Sequence, residues 1–258
     1  MNWSHDMHLF SQFLKSYREA NSLTQQDLVE KLCDGSECLK GIDTVALSRW
    51  EKDKVSPSIK RMVQVMTALG ISATTSLLSC ELPKRPKLKM SIDKICHRQF
   101  GAIPSLLEID SVRWCEEGRC CPERNSSYRE LLLQSHYWSK NEKELIDSST
   151  IEILLINKGD SGCLVYSTQE TYLHLHYIKY TNSPSLAYVL YRLAQILEAY
   201  EGDTIQIKIA DQPTKDLLSL LGSGFVYGIN SVSNKHELIS NIILVINELG
   251  EIHATDKQ

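Results

Sequence analysis

Three groups of residues carry side chains able to do chemistry. Cys115, Cys120 and Cys121, with Cys96-His97 upstream, offer thiols that could ligate zinc or meet an oxidant, and Arg113, Arg119 and Arg124 would lower thiol pKa values if close in space. The group has no CxxC spacing, however, and adjacent Cys120 and Cys121 do not easily turn into one tetrahedral site, so the reading is buried thiols and no metal is assigned. His174 and His176 alternate with Tyr172 and share one face of an expected strand. Without a third donor at ligand spacing they read as strand surface or a hydrogen-bonded core group. The third group is Asp43 to Lys52. Thr44, Val45, Ser48, Arg49 and Lys52 supply hydroxyls, methyls and cationic donors, which suits recognition better than bond-making.

The elements that must position these residues are legible from periodicity and punctuation. Apolar residues recur at helical spacing in Leu9/Phe10/Phe13/Leu14/Tyr17, Leu28/Val29/Leu32, Ala46/Leu47/Trp50 and Ile59/Met62/Val63/Met66/Leu69. Such a pattern predicts a bundle of four or five short helices. Thr24 before Gln25-Gln26-Asp27 reads as an N-cap, Asp43 as the cap of the third helix, Ser56-Pro57 as the opening of the fourth and Gly70 as its close. The polar run from Cys33 to Ile42, with Gly35 and Gly41, reads as a loop. Pro83 to Lys89 holds two prolines and four cations, which predicts an extended connector. Beyond it the pattern becomes mixed α/β: strands at Ile151 to Asn157, Gly162 to Thr168 and Thr171 to Tyr180, a helix at Pro184 to Tyr200, a strand at Thr204 to Ala210, a helix at Pro213 to Leu221 and a strand at Phe225 to Ser233. Three segments follow: 1–80, a helical domain; 81–100, a basic linker; and 101–258, an α/β domain.

Charge divides the chain in the same places. Residues 1–80 hold 9 Lys/Arg against 9 Asp/Glu, residues 81–100 hold 6 against 2, and residues 101–258 hold 13 against 21. A neutral head, a basic neck and an acidic body make the overall charge of −4 a poor guide to what the head binds. The 258 residues are 42% hydrophobic and 23% charged, enough for ordinary cores and against a disordered chain. There is no membrane-length apolar run, and Met1 to Asp6 is unlike a signal peptide. A soluble, cytoplasmic, nucleoid-associated protein without a membrane partner is expected, its eight cysteines mostly thiols.

Tyr17-Arg18-Glu19-Ala20-Asn21-Ser22-Leu23-Thr24-Gln25-Gln26-Asp27-Leu28, followed by Ala46 to Lys52 and then Pro57 to Gly70, resembles the helix-turn-helix of the phage-repressor (Xre-type) DNA-binding domain. The resemblance covers about a quarter of the chain and implies that Asp43 to Lys52 is the recognition helix. Thr44, Val45, Ser48 and Arg49 would then project toward base edges, Arg49 onto a guanine and Thr44 or Val45 onto a thymine methyl, with Lys52 beside them. Ala46, Leu47 and Trp50 would face the bundle. It also implies a phosphate contact for Gln25 and a structural ion pair between Arg18 and Glu51. Where the family has a tight turn, Cys33 to Ile42 is long: it either lies over the DNA backbone through Lys40 or is an inert bulge. The competing reading of the head is a protein-binding bundle, because its net charge is zero; the cations from Lys40 to Arg61 and the neck weigh against it. Lys84, Arg85, Lys87 and Lys89 are either phosphate contacts or a solvated linker.

Residues from about Ser126 to Leu238 resemble a GNAT acyltransferase: a helix at Tyr128 to Gln134, the hairpin, the strand Tyr172 to Lys179, the helix after it, and Leu217 to Phe225. That family's coenzyme A loop is glycine-rich, whereas Tyr180-Thr181-Asn182-Ser183-Pro184-Ser185 has no glycine, and the tyrosine that serves it as general acid would fall near Leu220, which has no proton to donate. The expected body is therefore degenerate, with no catalytic residue and no cofactor. The expectation is a transcriptional regulator: an all-α helix-turn-helix head on a double-stranded operator and a GNAT-like α/β body that forms a homodimer or answers a small-molecule or protein effector. The alternatives are an acyl-CoA-dependent N-acyltransferase with a DNA-binding head, or an antitoxin-like protein gripping a partner.

Overall fold

Helix ends organise the N-terminal region. In a computed structural model, which describes residues 10–80, 82, 84–99, 150–157, 160–169, 172–180, 182–201, 204–207, 212–222 and 232–250, the chain divides into Met1–Lys84 and Arg85–Gln258. The first unit runs α1 (Phe10–Ala20), α2 (Gln25–Gly35), a 3-10 turn (Glu37–Leu39), α3 (Thr44–Glu51), α4 (Ile59–Ala68) and α5 (Ala73–Leu78). Four of these helices open on a side-chain cap. Thr24 accepts from Asp27 N while the Asp27 carboxylate accepts from Thr24 N, Asp43 accepts from Ala46 N at 2.7 Å, Ser58 from Arg61 N at 3.2 Å and Ser72 from Thr75 N at 3.2 Å.

The ends are equally regular. α1, α3 and α4 each close with a paired bond across a left-handed residue: Leu23 N to Arg18 O with Ser22 N to Glu19 O, Lys54 N to Arg49 O with Asp53 N to Trp50 O, and Ile71 N to Met66 O with Gly70 N to Thr67 O. The left-handed positions are Ser22 (φ 53°), Asp53 (φ 53°) and Gly70 (φ 70°). Inside, Leu14, Leu28, Leu32, Leu47, Val63, Met66 and Leu77 are buried without exposed surface, which converts the helical stripes into one core.

Two expectations for this unit need correction. Ser56-Pro57 does not open the fourth helix; the cap is Ser58, whose hydroxyl accepts from Arg61 N, and α4 begins at Ile59. Cys33 to Ile42 is not one loop: α2 continues to Gly35 and the 3-10 turn follows. The segment also packs on the bundle. Leu39 and Ile42 are buried in the core, and the Arg61 guanidinium donates to Cys38 O.

The second unit begins with α6 (Pro86–Gln99), followed by β1 (Thr150–Asn157), β2 (Asp160–Gln169), β3 (Tyr172–Tyr180), α7 (Ser183–Ala199), β4 (Thr204–Ile207), α8 (Gln212–Leu220), β5 (Val232–Asn234) and α9 (Lys235–Leu249). The strands form one sheet in sequential order, antiparallel except for the parallel β3–β4 pair that α7 bridges. α7 packs on β1, β2 and β3, and α9 on α7 and α6. Ile239, Ile242, Ile243, Leu244, Val245 and Ile246 bury α9 on nearly every side, which explains a run too apolar to show an amphipathic stripe.

The neck is not an extended connector. Pro86 stands at the first helical position, where a missing N–H costs nothing and its fixed φ suits a helix, so residues 86–99 are helical. Ile92 and Cys96 bury one side of α6, which packs on α8 and α9. The Arg85 amide donates to the carboxylate of Glu248, 163 residues away. Among the described residues no helix is long and apolar enough to cross a membrane.

Candidate nucleic-acid interface

The geometry of α3 follows from which of its faces the core takes. Leu47 is fully buried, and Ala46 and Trp50 are half-buried against the bundle. Four residues apart on the opposite side, Val45 is 54% exposed and Arg49 is exposed. Thr44 and Ser48 are half-buried beside them, and Lys52, the C-cap, is exposed with Lys54. Residues at spacing of three and four share one helix face, so Val45, Ser48, Arg49 and Lys52 form a solvent-facing stripe of a methyl pair, a hydroxyl and two cations.

One carboxylate fixes this helix to its neighbours. Glu51, whose side chain is 5% exposed, receives Arg18 Nε at 2.6 Å on Oε1, and Gln25 Nε2 at 2.7 Å with Arg18 Nη2 at 3.4 Å on Oε2. Arg18 also donates from Nη1 to Leu23 O at 3.3 Å. The hydrogen bond to Glu51 raises the guanidinium pKa above its ordinary value against the opposing effect of burial. Glu51 ends α3, where the helix dipole disfavours an anion; Arg18 from α1 and the amide of Gln25 from α2 offset that cost. α1, α2 and α3 therefore meet on a single side chain.

Gln25 is the residue whose role is easiest to misread from the chain. Placed at the first position of α2 it suggests an outward amide, yet one of its donors is spent on Glu51. Its position at the head of α2, directly after the cap, was a signal for the helix end and none for this bond. Val55, 49% exposed just beyond Lys54, also adds apolar surface that helical spacing could not foresee, because it lies past the end of α3. Lys40 pairs with Glu37 on the 3-10 turn.

The other candidate groups lie differently. Cys115, Cys120, Cys121, their neighbouring arginines and the helix expected at 128–134 fall outside the described residues. Cys96 is buried, and burial is the largest cause raising its thiol pKa, with hydrogen bonding to Ser183 acting the other way. His174 and His176 both stand on β3, but a bulge there sets Val165 opposite Tyr177 and Tyr166 opposite Leu175, leaving His176 as the extra residue. A two-residue spacing no longer guarantees a common face across that bulge, so the shared face expected for the two histidines fails as an argument. At the β3–α7 junction Asn182 accepts from Ser185 N at 2.9 Å and Ser185 Oγ accepts from Asn182 N at 2.8 Å. The chain's own side chains thus occupy the helix start where an anion loop would need open amides. Among the described residues no group of His, Cys, Asp or Glu is arranged to hold a metal ion.

Residues 14–75 match the helix-turn-helix family model, which spans α2, α3 and α4 entirely. No curated protein and no solved structure matches the chain. The N-terminal unit therefore contains a helix-turn-helix DNA-binding domain, and the acyltransferase resemblance of the body has no support from these comparisons.

Proposed function

We propose that the protein is a sequence-specific DNA-binding regulator of transcription whose α3 enters the major groove. The observation that carries this reading is the exposed stripe of Val45, Ser48, Arg49 and Lys52 on a helix whose opposite side is locked by Leu47 and Glu51. In this reading the Arg49 guanidinium takes a guanine edge bidentately and the methyls of Val45 and Thr44 lie against thymine. Ser48 hydrogen-bonds a neighbouring base, and Lys52 and the first turn of α2 at Gln25 take phosphates. A homodimer binding paired half-sites, with the body as dimerisation or effector unit, completes the proposal.

The test is Arg49→Ala against an operator selected from a randomised duplex library. Losing one bidentate base contact is worth about 1–3 kcal/mol, so operator affinity should fall roughly 5- to 150-fold while affinity for mixed-sequence DNA changes little. Unaltered operator affinity would overturn the assignment of α3 as reader.

A further inference from the structure

We propose that a basic stripe on α6, Lys87 and Lys94 with Ser91 between them, is a second contact for the duplex phosphate backbone, carried by the otherwise acidic C-terminal unit. It rests on the helix-turn-helix reading of the head and adds a contact outside that domain.

Four observations carry it. Residues 84–98 hold Lys84, Arg85, Lys87, Lys89, Lys94 and Arg98 against the single acid Asp93. Lys87, Lys89 and Lys94 are exposed, and none of the three pairs with a carboxylate among the described residues. Seven residues, close to two helical turns, separate Lys87 from Lys94, so they share one stripe, while Ile92 and Cys96 bury another, with which the exposed Lys89 at the helix start is aligned. Finally, the first turn of α6 has no acid of its own and the Glu248 carboxylate is taken up by the Arg85 amide at the helix start, so the exposed lysines keep a positive potential that a polyanion would meet.

Arg85 N bonds Glu248 and α6 packs on α8 and α9, so the cations sit on a fixed helix of the C-terminal unit and not on a loose tether.

The experiment measures binding of the full chain to a fluorescent mixed-sequence duplex several turns long, as a function of salt. Each lost phosphate contact reduces the slope of log affinity against log salt by about 0.9, so K87Q/K94Q should lower it by nearly two, K87R/K94R should keep it, and K89Q should leave it close to wild type. Thermal melts of all variants establish that they are folded. An unchanged slope in K87Q/K94Q, or an equal loss per charge in K89Q, overturns the proposal. So does a K87Q/K94Q protein that keeps its DNA binding but changes sedimentation, which would assign the stripe to an acidic protein surface. If the wild-type chain binds no duplex, it is the head's reading that fails; if Arg49→Ala loses its operator while K87Q/K94Q matches wild type, only the α6 contact fails.

Discussion

The two units of the molecule both cap helices within one turn, the body at Asn182 and Asn234 as the head does, but the body adds bonds that come from far along the chain. In the N-terminal unit each cap is made three residues away, and three helices close with the same paired bonds across a left-handed residue. In the C-terminal unit several comparable bonds come from afar: Glu248 takes the Arg85 amide, Lys235 Nζ donates to Tyr200 O at 2.7 Å, and Asn241 Nδ2 donates to Leu221 O at 2.9 Å. The lesson is that the head's helix ends are closed by instructions read one turn at a time, whereas some of the body's also need partners brought together only by folding. A module of the first kind can hold an exposed helix in a fixed pose with a small core.

The largest effect that could break this contrast is at the centre of the head. Leu47→Ala removes a fully buried side chain from α3 and should cost the first unit about 3–4 kcal/mol. Calorimetry should show one transition moving down and the other unmoved; a common shift of both would deny the units their separate stability. Next is Glu51→Ala, which strands Arg18 and Gln25 together and should cost about 2–3 kcal/mol. A double-mutant cycle with Arg18→Met, read by urea unfolding, should give a coupling well above that of exposed pairs such as Lys15–Glu19.

Two glycines sharpen the comparison further. Gly70 and Gly222 both have positive φ, but a Cβ at Gly70 would meet nothing within 4 Å, whereas at Gly222 it would lie 2.7 Å from Asn241 Nδ2. Gly70→Ala should thus cost only the backbone strain of about 1 kcal/mol, and Gly222→Ala more, roughly 2 kcal/mol, since the Asn241 bond to Leu221 must yield as well. Equal melting shifts for the two variants would refute the distinction between local and distant control. The smallest effect is with pH. Hydrogen bonds from the Thr24 backbone, then its side chain, hold the Asp27 carboxyl below its ordinary value of 3.8. Its contribution is therefore complete above that pH and lost as pH falls through the folded pKa, so acid should lower the head's melting temperature slightly more than that of Asp27→Asn.

Particular residues show how far the chain could be read in advance. Thr24, Asp43 and Gly70 mark helix ends because their bonding partners lie within one turn, and the stripes through Leu14, Leu28 and Leu47 mark the core because helical period alone decides them. Pro86 misled because the same ring that breaks a helix inside it suits its first position, and only packing on α8 and α9 selects the helix. α9 carried no readable stripe because it is apolar almost all round. At β3 the bulge was invisible, since an extra residue in one strand is defined only against its partner strand.

Sequence alone therefore determined the helix-turn-helix architecture of the head, its caps at Thr24 and Asp43, and which side of α3 faces outward, since each depends on neighbours within a few positions. Tertiary structure decided that Gln25 shares Glu51 with Arg18, that Leu39 and Ile42 anchor the long turn, and that the basic neck is a helix belonging to the body. Those outcomes join residues far apart along the chain, and no local propensity specifies a contact whose partner arrives only when the core closes.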